Sequence, residues 1–72
     1  MTNAPALYEI HIKGHIGEGI GKQFEGCSVH CQPDGNTVLS GMLDQAALHG
    51  VLMKIRNLGL TLIAVNQTGE HS

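Results

Sequence analysis

The sixteen residues from Asp44 to Gly59, DQAALHGVLMKIRNLG, constrain this chain more than any other stretch. Leu48, Val51, Leu52, Ile55 and Leu58 recur at intervals of three and four, which sets them on one side of a 3.6-residue helix, while His49, Lys54, Arg56 and Asn57 fall elsewhere. Asp44 is suited to accept from the first-turn amides as N-cap, Ala46 and Ala47 favour helix, and Gly59 supplies the left-handed residue at which a helix stops. Lys54 and Arg56 complement the negative pole of the dipole. A helix with one apolar stripe needs an apolar surface to lie on, and the rest of the chain must build it.

Strand patterns supply that surface. Leu7 to Lys13 alternates, with Tyr8, Ile10 and Ile12 on one face and Glu9, His11 and Lys13 on the other. Gly17 to Phe24 carries three glycines at alternate positions, each costing a helix about 1 kcal/mol relative to Ala. It is expected to be a loop tightening into a short helical turn anchored by Ile20 and Phe24. Cys27 to Cys31 alternates again, setting Cys27, Val29 and Cys31 together, and Pro33-Asp34-Gly35-Asn36 is a turn signal that folds Thr37 to Gly41 back on it. Leu60 to Val65 is an apolar run that predicts a last strand, and Asn66 to Ser72 reads as a polar tail.

The order predicts an α+β, ferredoxin-like βαββαβ fold: a four-stranded antiparallel sheet in spatial order 4-1-3-2, with a weak first helix and one long second helix on the same face. Residues 1–72 form a single domain with an ordered core of about 6–66. The other face of the sheet is open and is expected to carry Glu9, His11, Lys13, Ser28, His30, Val38 and Ser40. It also takes one apolar set of the last strand, either Leu60 and Leu62 or Thr61, Ile63 and Val65; alternation alone does not choose between them. Either choice leaves aliphatic side chains outside the helix-covered core, and such surface usually marks an interface.

Size sharpens that inference. A chain of 72 residues buries only about 60% of the surface its unfolded form exposes. With one Phe, one Tyr and no Trp, its core rests on Leu, Ile, Val and Ala, and domains this small usually add disulfides, a metal or a partner subunit. A net charge of −2 with four Lys and Arg gives no footprint for nucleic acid or an anionic membrane. No run approaches the roughly 20 apolar residues of a membrane span, and Met1 to Pro5 lacks the features of a secretory signal. The expected location is cytoplasmic.

The pieces YEIHIKGHI (Tyr8 to Ile16) and DQAALHGVLMKIRNLGLTLIAV (Asp44 to Val65), with Asp34-Gly35 at a turn and Leu39-Ser40-Gly41 closing the third strand, resemble a family of short uncharacterised bacterial proteins. The resemblance spans Leu7 to Val65. It implies the fold and a bacterial cytoplasm, and no catalytic residues. Members of that group tend to carry tryptophan in the crossover, where this chain has glycine.

Candidate chemistry is sparse. Gly19-Ile20-Gly21-Lys22 fails the phosphate-loop pattern, because Ile16 stands where Gly is needed and Gln23 where Ser or Thr would hold magnesium. Cys27 and Cys31, four apart on a strand, have Cα atoms roughly 13 Å apart, too far for a disulfide or one shared metal; they are expected to face the core as small hydrophobes. His11 and His30 sit roughly 10 Å apart across two strand spacings. His15 and Asp44 lie at opposite ends of the sheet, which makes a hydrolytic relay implausible. Tyr8, His15, Gln45 and His49 are the candidates for ligand binding; no metal site and no cofactor are expected.

The reading is a non-enzymatic module that self-associates as a homodimer through the open face of its sheet or its last strand, with Val38, Ile63 and Val65 as interface anchors. It would act as an interaction, regulatory or small-ligand-binding protein. The alternative is a small enzyme or metal-binding protein whose histidine site is assembled between subunits. RNA binding on the sheet ranks last for want of stacking aromatics and positive charge.

Overall fold

A computed structural model describes residues 4–24 and 26–68. The elements are β1 (Ala6–Ile12), α1 (Glu18–Gly21), β2 (Ser28–Cys31), β3 (Thr37–Leu43), α2 (Gln45–Asn57) and β4 (Leu62–Thr68). The strands form one sheet in the order β2-β3-β1-β4, every neighbouring pair antiparallel. The fold is the expected ferredoxin-like arrangement, with α1 reduced to a single turn.

The long helix forms as its residues dictate. Asp44 is the N-cap, its Oδ1 accepting from the Ala47 amide at 2.7 Å, which satisfies one of the first-turn donors. At the other end Gly59 takes φ +76°. Leu48, Val51 and Ile55 are buried, and Leu52 and Leu58 pack half-buried beside them. Beneath lie Tyr8, Ile10 and Ile12 of β1 and Leu39 and Leu43 of β3, joined by Ile16 and Phe24 from the crossover. Ile20 and Phe24 anchor that crossover as expected, Phe24 almost fully enclosed.

The turn between β2 and β3 also follows its sequence. Asp34 Oδ1 accepts from the Asn36 amide at 2.9 Å, and Gly35 takes φ +93°. The turn is then tied to the end of β1: Asn36 Oδ1 accepts from the Gly14 amide at 3.0 Å, and the Thr37 hydroxyl donates to the Gly14 carbonyl at 2.7 Å. Thr37 is completely buried, and this bond is what makes a buried hydroxyl tolerable there.

Three strand expectations need correction. Gly41 does not end β3, which runs on to Leu43. Glycine is needed at this interior position because the returning crossover passes over it, and a Cβ on Gly41 would stand 2.5 Å from the Gly26 carbonyl oxygen. Cys31, expected in the core, is exposed, whereas Cys27 is half-buried against it. Cys31 pairs with the inward-facing Thr37, but it lies on the edge strand β2, all four residues of which are exposed.

The last strand starts two residues late and extends through Asn66, Gln67 and Thr68, which the sequence assigns to a polar tail; residues 69–72 lie outside the described residues. Of the two apolar sets of this strand, Leu60 and Leu62 face inward, and the other set is split. Ile12 pairs with Leu62 and His11 with Ala64, so Ile63 is an extra residue, a β-bulge. The bulge breaks the alternation, and Leu60 from one set and Val65 from the other both pack on the core.

Replacing Gly41 with Ala should lower stability by about 1–3 kcal/mol, the usual range for overpacking, because the Gly26 backbone cannot move aside as a side chain would. Urea unfolding would register this as a lower midpoint at unchanged slope. Asp44→Ala should cost about 1 kcal/mol through loss of its cap.

Candidate functional site

Strand pairing fixes what each face of the sheet presents. On the open face the rows run Met42-Leu7-Thr68, then Ser28-Ser40-Glu9-Asn66, then His30-Val38-His11-Ala64. The middle row is wholly polar. Aliphatic surface is concentrated at one end, where Leu7 and the 62% exposed Met42 are cross-strand partners. The open face is therefore less apolar than the sequence led us to expect.

Val38, expected as an exposed anchor, is 7% exposed and lies outside the helix-covered core. Its row neighbours on either side are His11 and His30. Val65 is half-buried against the core and belongs to the inner face. Ile63, displaced by the bulge, is 51% exposed, and its neighbour Leu62 is exposed as well. Of the three anchors, only Ile63 presents substantial free apolar surface.

The outer edge of β4 is the longer of the two sheet edges. Its seven residues, Leu62-Ile63-Ala64-Val65-Asn66-Gln67-Thr68, include no charge and no proline, and among the described residues β4 pairs only with β1. The opposite edge, β2, has four residues and ends just before Pro33. Shortness, charge and proline are the ordinary means of protecting an edge from strand addition. At β4 only the bulge serves that purpose, and it leaves Ala64 to Thr68 regular.

The four candidate ligand-binding residues do not converge. Gln45 Nε2 donates to the Tyr8 hydroxyl at 3.0 Å, which brings that pair together at the start of α2. His15 is exposed at the far end of β1, beyond Gly14, and His49 is exposed on α2. His11 Nε2 is enclosed and lies 3.4 Å from Glu9 Oε1, without a hydrogen bond. Among the described residues no group of three or more His, Cys, Asp or Glu side chains stands close enough to hold a metal ion.

A second feature was not anticipated. Between the crossover and α2 lies a cleft of about 680 Å³, lined by Lys22, Gln23, Phe24, Leu43, Ala47, Gly50, Val51 and Lys54. Lys54 Nζ donates to the Gln23 carbonyl across it at 2.9 Å. The one sequence signal for it was Gly50, a glycine in the middle of a strong helix.

The cysteines are free and chemically unequal. Desolvation raises the Cys27 thiol above its ordinary pKa, so less of it is thiolate at neutral pH, and it is half-buried besides. Alkylation with iodoacetamide near neutral pH should modify Cys31 quickly and Cys27 slowly, with both reacting readily in urea. Peptide mapping by mass spectrometry distinguishes them.

A family model described as Domain of unknown function (DUF8691) matches residues 7–66. No curated protein and no solved structure matches the chain.

Proposed function

The chain belongs to that family of unknown function, and on this footing we propose that it is a small, non-enzymatic, bacterial cytoplasmic module that works as a homodimer, acting as an interaction or regulatory protein. Of the two surfaces the sequence offered for self-association, the last strand is the better supported. The open face has a polar centre, and its one central aliphatic residue, Val38, is already covered. The observation that carries the reading is the unprotected β4 edge, seven residues without charge or proline and with two exposed aliphatic side chains.

Antiparallel pairing of β4 with its copy joins two four-stranded sheets into one of eight strands, with the helices of both subunits on the same side. The regular stretch Ala64 to Thr68 carries the new main-chain hydrogen bonds, and the flank of the core that leaves Leu52, Leu60 and Leu62 incompletely covered is brought toward the partner. This is the strand-addition mode of recognition turned on itself.

The same geometry weighs against a histidine metal site between subunits. With β4 at the seam, the two His11 side chains stand three strand spacings apart, roughly 14 Å, and His30 is further still.

Light scattering on the eluting peak at micromolar concentration should give twice the 7.6 kDa chain mass; a monomer would defeat the reading. In the double variant Ile63→Lys, Gln67→Lys, the mass should fall to that of one chain with the far-ultraviolet spectrum unchanged, because edge lysines oppose strand addition. Elemental analysis of the purified dimer should find no stoichiometric transition metal.

A further inference from the structure

The geometry points to the cleft between the crossover and α2 as a binding site for a small amphiphilic anion, a carboxylate carried on a short aliphatic body. The inference is independent of the dimer, since no residue of the cleft belongs to β4.

Charge is the first ground. The chain is net negative and has only four Lys and Arg, yet two of them, Lys22 and Lys54, line this one cleft, and among the described residues none that lines it is acidic. Among the described residues neither lysine is in a salt bridge. Lys54 spends one of its three N–H donors on the Gln23 carbonyl, which draws the ammonium across the cleft and leaves two donors for a ligand.

Shape is the second. The lining includes the buried side chains of Phe24, Leu43 and Val51, which make part of it apolar. The side of α2 facing the space carries Ala47 and Gly50. Packing does not require Gly50, because a Cβ there would meet nothing within 4 Å, and its φ is not among the positive ones. A mid-helix glycine costs about 1 kcal/mol relative to Ala, and what it leaves behind here is open volume. An apolar pocket with a few convergent polar groups is the usual form of a small-molecule site. A carboxylate suits the two ammonium groups, and an aliphatic body suits the apolar part of the lining.

The test titrates octanoate, octanol and inorganic phosphate separately into the uniformly ¹⁵N-labelled full chain and follows the amide resonances. Octanoate should shift Gln23, Ala47, Gly50 and Lys54 saturably and bind about tenfold or more tightly than octanol, the scale of a charged hydrogen bond. Inorganic phosphate should bind more weakly than octanoate. Lys22→Glu with Lys54→Glu, both exposed positions, should erase the preference for octanoate over octanol while leaving the spectrum dispersed. Gly50→Leu should abolish binding of both. The same shifts should persist in the Ile63→Lys, Gln67→Lys variant, so failure of the dimer and failure of this site are separable. Equal binding of octanoate and octanol, equal binding of phosphate and octanoate, octanoate binding unchanged by the lysine reversals, or no saturable shift at those amides would each overturn the inference.

Discussion

One helix has to cover most of a four-stranded sheet, and nearly everything else in this molecule follows from that shortage. The stripe of Leu48, Val51 and Ile55 closes over the central strands, where Ile10, Ile12 and Leu39 are fully buried. The first helix is a single turn with no buried residue of its own, and its share of the cover comes from Ile16 and Phe24 on either side of it. The centre is sealed and the margins are not. All four residues of β2 are exposed, and no residue of β4 is fully buried.

The glycines of the crossover belong to the same economy. Chain that is not helical can still cover a sheet if its backbone lies close enough, and at Gly41 it does, with Gly26 seated where a side chain would otherwise stand. Gly21 lies beside Val29, where a Cβ would make ordinary contact with a Val29 methyl at 3.5 Å. Close backbone approach substitutes here for the second turn of helix that the sequence lacks.

What the sequence disclosed and what it withheld divide along a physical line. The cap at Asp44, the stripe of the long helix, the turn at Pro33 to Asn36 and the order of strands were readable, because each rests on residues near one another in the chain. The interior role of Gly41 was hidden, since it depends on the Gly26 backbone arriving from another element. Period-two reasoning offered two exclusive alternatives for the last strand, whereas the bulge lets Leu60 and Leu62 of one set and Val65 of the other all face inward, because an inserted residue has no signature in a uniformly apolar run. Cys31 was misjudged because facing inward and being covered are different properties. For the candidate site the placement of Tyr8 and Gln45 at the same end of the sheet was legible, while the cleft, assembled from the crossover, β3 and α2, was marked only by an unexplained glycine.

The extra residue at Ile63 has a bearing on how sequences of this kind are to be compared. Upstream of it the inward side chains occupy even positions, Leu60 and Leu62; downstream the parity changes, and Val65 is inward. A gap-free alignment of this strand with that of a relative lacking the insertion would match inward with outward side chains over half its length. Patterns of substitution read from such columns would describe two environments averaged together. Placing a one-residue gap opposite Ile63 restores like with like.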